Sequence, residues 1–136
     1  MVAPGKVHDT NKIMIKTLLY IAIGGAIGSV MRYLMTLLVN KYWTNNFPIA
    51  TLITNVAGCF LIGLFIGILQ KNNLNNNALK CLLITGFCGG FTTFSAFANE
   101  NFILISHQNT FLSLFYIASS IFLGIFFVWL GLILMT

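Results

Sequence analysis

Glycines, hydroxyl residues and phenylalanines are concentrated in residues 86–97, which read GFCGGFTTFSAF. Each glycine disfavours a helix by about 1 kcal/mol relative to alanine, so the stretch predicts a helix break. At membrane depth a break frees backbone N–H and C=O groups, which must be buried in protein or line a watery or ion-filled space. Close helix packing by small residues is the alternative interpretation. Phe94 and Phe97 follow the glycines on one helical face.

Neutral hydrogen-bond donors form the second group of candidate residues. Asn55 lies in an apolar segment, and Tyr116 and Ser120 lie four residues apart in a later one. Further hydroxyl groups near the break belong to Thr92, Thr93 and Ser95. The chain has only two acidic residues, and a lining rich in donors and poor in acids suits a small anion better than a cation. The electropositive ring edges of Phe94 and Phe97 also suit an anion.

Each of these candidates also has a purely structural interpretation. Asn55 could join two helices, which contributes about 0.6–2 kcal/mol in membrane proteins. Ser120 could bond back to its own helix backbone. Phe94 and Phe97 could be ordinary core residues. The residue types and their spacing leave both interpretations open.

Two charged residues lie within apolar segments. Arg32, one helical turn after Gly28, either reaches the lipid headgroups or supplies an electropositive vestibule or a fixed hydrogen-bond donor. Glu100, three residues after Phe97, is interpreted as an acid at a solvated helix end.

Enzymatic, metal-thiolate and nucleic-acid functions are not favoured. The chain has no Ser/His/Asp set, no paired carboxylates and no phosphate-binding loop. Its three cysteines, Cys59, Cys81 and Cys88, show no metal-binding spacing and are expected to be reduced. The net charge of +5 reflects a scarcity of acids and not a basic patch.

The composition places the candidate residues in a membrane. Hydrophobic residues make up 58% of the 136 residues and charged residues 7%, against about a quarter charged in a soluble domain. Four apolar runs predict an all-α protein with four transmembrane helices. These runs cover approximately residues 17–39, 48–69, 79–105 and 111–134. We expect 1–13 to be a polar, disordered extension and 14–136 to be one transmembrane domain.

Glycine and lysine positions bear on assembly and orientation. Gly24 with Gly28, and Gly63 with Gly67, have the spacing that lets helix backbones approach closely. Because four short helices are too few to enclose an aqueous path, we expect a homodimer with pathways at or near its interface. The basic residues are Lys6, Lys12, Lys16, Lys71 and Lys80 on one side of the membrane, and Lys41 with Arg32 on the other. They favour an inside N-terminus, but without 1–13 the bias is weak enough to permit both orientations.

These features together resemble the Fluc (CrcB-type) family of fluoride channels from prokaryotic membranes. The resemblance rests on GGAIGSVMRY, TLITNVAGCF and GFCGGFTTFSAF in the first three spans and on the Tyr116/Ser120 spacing in the fourth. It covers nearly the whole chain from Met14 onward. It implies passive export of fluoride across the cell membrane by an antiparallel, dual-topology homodimer with two pores.

The resemblance also implies roles for individual residues. Phe94 and Phe97 match the family's phenylalanine box, whose ring edges line the fluoride path. Asn55 matches a pore asparagine, and Tyr116 with Ser120 matches a polar track along the last helix.

A structural sodium ion is implied in the same way. Gly89 and Thr92 match a helix break whose backbone carbonyls, from both subunits, hold Na⁺. The glycines would then serve mainly to free carbonyls, with close helix packing secondary. Vestibule or structural positions are matched by Arg32, Glu100, Thr93 and Ser95. Two departures are Ala96, where the family usually has a hydroxyl residue, and Gly124, which continues the track without a hydroxyl.

Two other functions are weighed against the channel. A small dual-topology multidrug exporter needs a membrane-embedded acid in its first span, where this chain has Arg32. A non-transporting membrane scaffold would use the glycine faces but gains nothing from a broken helix.

Overall fold

All regular secondary structure in the described residues is helical. The protein is described from a computed structural model that covers residues 4–43, 47–72, 74 and 76–135. Four helical stretches within these residues are long and apolar enough to cross a membrane. They are Asn11–Tyr42, Ile49–Lys71, Asn77–Ser106 and Thr110–Ile133. The predicted all-α fold with four transmembrane helices is confirmed.

Helix α1 runs from Pro4 to Tyr42 and is the longest element, with 39 residues. Proline at the start of a helix is favourable because its missing N–H would have no helical partner there. The helix therefore begins upstream of the expected boundary after residue 13. Residues 1–3 lie outside the described residues, and the division of the chain at residue 13 stays a prediction.

Helices α2 (Ile49–Lys71) and α6 (Thr110–Ile133) form the most extensively packed pair. Their contact depends on glycine, since a Cβ atom at Gly63 would overlap the carbonyl oxygen of Val128. The small-residue spacing on α2 therefore does permit the close backbone approach that it predicts.

The third span is divided into several helical pieces. They are α3 (Asn77–Lys80), a π-helical segment (Cys81–Cys88), α4 (Gly89–Phe91) and α5 (Phe94–Ser106). Between α4 and α5, Thr92 and Thr93 have extended backbone, with ψ of 160° and 114°. The predicted broken third helix is confirmed, whereas the π-helical segment was not predicted.

The position of the break corrects the expected role of the glycines. Gly89 is helical, with φ of −63° and ψ of −37°, and the chain becomes extended only at Thr92. A Cβ atom at Gly28 would overlap the carbonyl oxygen of Phe87, and one at Gly90 would lie 2.5 Å from the carbonyl oxygen of Gly25. The prediction that the glycines of residues 86–97 mainly free carbonyls is therefore wrong for Gly90, which lets α1 and the third span touch backbone to backbone, whereas the close approach predicted for Gly28 is confirmed.

Helix α5 is placed by a small core beside the break. Leu52 of α2, Leu104 of α5 and Tyr116 of α6 are buried together, and the partly buried Phe97 packs against them. A turn containing Gln108, with φ of 61°, then joins α5 to α6. The result is that one face of α5 lies against α2 and α6 with Phe97 at its edge.

Candidate functional site at the helix break

Asn55 holds the break through both ends of its side-chain amide. Its Nδ2 donates to the carbonyl oxygen of Thr93 at 3.2 Å, and the N–H of Thr93 donates to its Oδ1 at 2.8 Å. In an uninterrupted helix that N–H would bond to the carbonyl of Gly89. The asparagine therefore replaces a helical partner and joins α2 to the break.

The same amide keeps one donor for other use. A carboxamide carries two N–H donors, and only the bond to Thr93 uses one of them among the described residues. Asn55 also lines a cavity of about 230 Å³. The second amide hydrogen is therefore available to a guest in that cavity.

Four of the five predicted fluoride-pathway residues meet in this cavity. Its lining consists of Asn55, Thr93, Phe94, Phe97, Ser120 and Ile121. No carboxylate or amine belongs to it. The hydroxyl of Ser120 is buried and has no hydrogen-bond partner within the described part of the chain. Because a buried hydroxyl is destabilising unless it is bonded, Ser120 is suited to donate to a small guest.

The two phenylalanine rings differ in how firmly they are held. Their centroids lie 5.8 Å apart, with planes inclined by 40°. Phe97 also contacts the ring of Tyr116, with centroids 5.1 Å apart. Phe94, in contrast, is 80% exposed in this single chain. The cavity is therefore open on the Phe94 side.

Tyr116 is fully buried but does not belong to the lining of the 230 Å³ cavity. Its hydroxyl donates to Oε2 of Glu100 at 2.8 Å, while the hydroxyl of Thr51 donates to Oε1 at 2.5 Å. Glu100 is half-buried and bonded to both, so it is not an acid solvated at a helix end. Of the two residues of the predicted polar track, Ser120 lines the cavity, whereas Tyr116 is bonded to Glu100.

The four predicted vestibule residues meet in a second cavity of about 420 Å³. Its lining consists of Ser29, Arg32, Tyr33, Thr36, Thr51, Thr54, Thr93, Ser95, Ala96 and Glu100. Arg32 is a fixed donor there, because its Nη1 bonds to the carbonyl oxygen of Thr92 at 3.2 Å. Thr93 lines both cavities, so the break lies between them.

The N-terminus of α5 adds positive potential to this region. The hydroxyl of Thr93 accepts from the N–H of Ala96 at 3.2 Å and lies 3.2 Å from Oγ of Ser95. A helix N-terminus carries a partial positive charge of about half an elementary charge. The N-terminus of α5 therefore contributes positive potential to the cavity beside Phe94, whose lining is formally neutral.

The two departures from the family pattern fall in different places. Ala96 lines the 420 Å³ cavity, where a hydroxyl is absent from its side chain. Gly124 lies in neither lining, and a Cβ atom there would be 3.5 Å from Sγ of Cys59. Cys59, Cys81 and Cys88 are free thiols, as expected.

Three residues that hold the site were not among the predicted site residues. Thr51 lies one helical turn before Asn55 on the same face of α2, and this polar spacing was the available signal for it. Asn101 and Ser113, which bond to each other across α5 and α6 at 2.8 Å, had no comparable signal. Asn101 adjoins Glu100 in a polar stretch that is typical of a solvated helix end.

A sequence profile described as "CrcB-like protein, Camphor Resistance (CrcB)" matches residues 19–132. The chain belongs to the CrcB-like family. The match extends through all four spans and includes both cavity linings.

Several curated relatives carry the name "Fluoride-specific ion channel FluC". One from Flavobacterium psychrophilum is 55% identical over 88% of this chain and 96% of its own length. One from Azobacteroides pseudotrichonymphae is 43% identical, covering 89% and 97%. One from Phocaeicola vulgatus is 44% identical, covering 86% and 96%. This CrcB-like chain is therefore a multi-pass membrane protein of an ion-channel family, not an enzyme.

Proposed function

We propose that this protein is a fluoride-selective channel that lets fluoride leave the cell by passive flow. The observation that carries the proposal is the orphaned hydroxyl of Ser120 in a cavity lined also by Asn55, Phe94 and Phe97. That cavity offers neutral donors and aromatic edges to a small anion and no acid to a cation. The relatives named as fluoride-specific channels support the same ion.

Passive export follows from the chemistry of hydrogen fluoride. The neutral acid crosses membranes and ionises at cytoplasmic pH, which traps fluoride inside. An inside-negative potential then drives the anion outward through a channel, at about 2.3 kcal/mol per charge for each 100 mV. The proposed location is accordingly the cell membrane of a prokaryote, where this potential exists.

The two alternative functions have less support. The first span, Asn11–Tyr42, contains no acid that could bind a drug cation or a proton. A scaffold needs neither a helix break held by Asn55 nor an unbonded hydroxyl donor beside it. Neither alternative explains the Ser120 hydroxyl.

The proposed channel is an antiparallel homodimer with two pores. Phe94 is 80% exposed in one chain, which leaves the cavity without a wall on that side. In the most apolar 18-residue stretch of the first span, only 11% is buried within the chain. A Cβ atom at Gly89 would have only the carbonyl oxygen of Ile84 near it, at 4.0 Å. A second copy at this surface would complete the cavity, and the weak lysine asymmetry permits the opposite orientation that this requires.

The break also fits the sodium ion that the family resemblance implies. The carbonyl of Gly89 has lost its helical donor, because the N–H of Thr93 bonds to Asn55. The carbonyl of Thr92 accepts from Arg32 and keeps a second lone pair. Neutral carbonyl oxygens are suitable ligands for an alkali cation. Since the charge of Arg32 opposes a cation, we propose that binding needs these carbonyls from both subunits, and that the ion holds the subunits together.

Fluoride efflux from proteoliposomes, followed with a fluoride electrode, tests the proposed function. We expect rapid fluoride efflux and little chloride efflux from the wild-type protein. Phe94→Ile should slow fluoride efflux by about tenfold or more, equivalent to about 1.4 kcal/mol, because it replaces a ring edge. The exposed position of Phe94 means that folding of the protomer should be unaffected.

Asn55→Ala provides the complementary variant. It should lose fluoride flux as well, but it also removes the two hydrogen bonds from Asn55 to Thr93 that hold the break. Dimer content measured by size-exclusion chromatography is therefore the control for both variants. No fluoride efflux from the wild-type protein, or chloride efflux at the same rate, would contradict the channel.

A further inference from the structure

A buried polar pair joins α5 to α6 outside both cavities. Asn101 is 6% exposed and Ser113 is 1% exposed. The hydroxyl of Ser113 donates to Oδ1 of Asn101 at 2.8 Å, and Nδ2 of Asn101 donates to the carbonyl oxygen of Phe97 at 2.8 Å. Neither side chain belongs to the lining of the 230 Å³ cavity or of the 420 Å³ cavity.

The pair lies one helical turn from the residues that line or border the cavity. Asn101 follows Phe97 by four residues on α5, and Ser113 precedes Tyr116 by three residues on α6. The Phe97–Tyr116 ring contact and the Tyr116–Glu100 bond form the next contacts between the same two helices. Because α5 has its most extensive contacts with α6, these contacts determine where α5 sits along α6.

A polar pair sets this position more closely than apolar contacts would. Apolar side chains tolerate small sliding movements, whereas a buried amide or hydroxyl that moves out of bonding distance is left unsatisfied. The carbonyl of Phe97 is itself one of the bonded atoms. On its other side, Phe97 follows the break that Asn55 holds at Thr93. Phe97 therefore lies between two fixed points of α5.

We propose that Asn101 and Ser113 are positioning residues that set the Phe97 ring at the edge of the fluoride cavity. This inference rests on the proposed channel function. The pair acts through the helix backbone, since Asn101 bonds directly to the carbonyl oxygen of Phe97. Loss of the bond between Ser113 and Asn101 lets α5 shift along α6, so that the edge of the Phe97 ring no longer faces the ion.

Single-channel recording in planar bilayers tests the pair, because unitary conductance counts only assembled channels and does not depend on how much protein folds. Ser113→Thr and Ser113→Val are the matched variants. Both add similar volume, and only threonine keeps the hydroxyl. We expect the unitary fluoride conductance of Ser113→Val to be about tenfold below that of Ser113→Thr, equivalent to about 1.4 kcal/mol.

Two further variants keep the test decisive if the valine variant does not assemble. Ser113→Ala removes the hydroxyl without adding volume and should lower the conductance in the same way. Ser106→Ala is its control, because Ser106 lies on α5, is exposed and bonds only to the carbonyl of Phe102. Asn101→Ala combined with Ser113→Ala should be no worse than Asn101→Ala alone, since Asn101→Ala already removes the bond to Ser113.

The possible outcomes separate this inference from the proposed function. If the wild-type protein conducts fluoride and every variant at positions 101 and 113 matches it, the positioning role is wrong and the pair is purely structural. If the wild-type protein does not conduct fluoride, the channel proposal itself fails. Lower conductance in Ser113→Val than in Ser113→Thr supports the positioning role.

Discussion

Ser120 and Asn55 illustrate two ways in which a polar side chain is accommodated at the break. Asn55 satisfies its oxygen and one of its N–H groups with the backbone of Thr93. Ser120 has no such partner in the described part of the chain. An unsatisfied buried hydroxyl costs about 1–3 kcal/mol. A guest that forms a hydrogen bond with Ser120 therefore offsets a cost of this size.

Ser120→Ala should separate stability from transport. Removal of the unbonded hydroxyl should leave the free energy of unfolding unchanged or raise it by up to about 1 kcal/mol. The unfolding temperature should therefore stay the same or rise. Fluoride efflux should fall by about tenfold, because the donor is lost. Thermal unfolding and efflux are measured on the same preparation, with Ser106→Ala as the control. A lower unfolding temperature with unchanged efflux would show that Ser120 is a structural residue.

At the scale of elements, the third span is held by two different kinds of contact. Its first half, the π-helical segment with α4, touches α1 backbone to backbone across glycines. Its second half, α5, is held by side-chain hydrogen bonds from α2 and α6. The break at Thr92 and Thr93 separates the half held by backbone contacts from the half held by side-chain hydrogen bonds. Glycine substitutions should therefore affect the first half most.

Gly28→Ala and Gly25→Ala form a matched pair for this contact. A Cβ atom at Gly28 would overlap the carbonyl oxygen of Phe87, whereas one at Gly25 would meet only the carbonyl oxygen of Gly86 at 3.8 Å. We expect Gly28→Ala to destabilise the protein by about 1–3 kcal/mol through overpacking. Gly25→Ala should be nearly neutral. Thermal unfolding in detergent measures the difference, and equal stability of the two variants would contradict the close contact.

Some features of the helices could be predicted from the sequence and others could not. The four spans follow from apolar runs, and a break in the third follows from its glycines. The family resemblance predicts the break at Gly89–Thr92, and the chain becomes extended at Thr92 and Thr93. Glycine content alone does not give this location, because Gly86 and Gly90 are helical and pack against α1. The Asn101–Ser113 bond was also missed, since it depends on how α5 is aligned along α6. Spacing within one helix carries no information about that alignment.

At the scale of the whole molecule, the proposed dimer and the proposed sodium ion depend on the same surface. The carbonyls of Gly89 and Thr92 lie at the break, and a Cβ atom at Gly89 would face mainly open space in a single chain. Each subunit would supply the same carbonyls to a shared ion. Sodium should therefore stabilise the assembled form and have no effect on separate subunits.

Exchange of sodium for choline tests this coupling. An ion that binds only the assembled form stabilises it in proportion to the logarithm of its concentration, by about 2.7 kcal/mol at one hundred times its dissociation constant. We expect the unfolding temperature of the purified dimer to rise with sodium chloride and not with choline chloride. The same temperature in both salts would argue against a structural cation. Fluoride efflux from sodium-free liposomes gives the corresponding functional measurement.

The pair of hydrogen bonds between Asn55 and the backbone of Thr93 also limits which amino acids can occupy position 55. Asp lacks the donor, Ser is too short to present both groups, and Leu offers neither. The break itself therefore favours an asparagine at position 55, whatever passes through the cavity. Contact with the ion has to be established separately, through the second amide hydrogen.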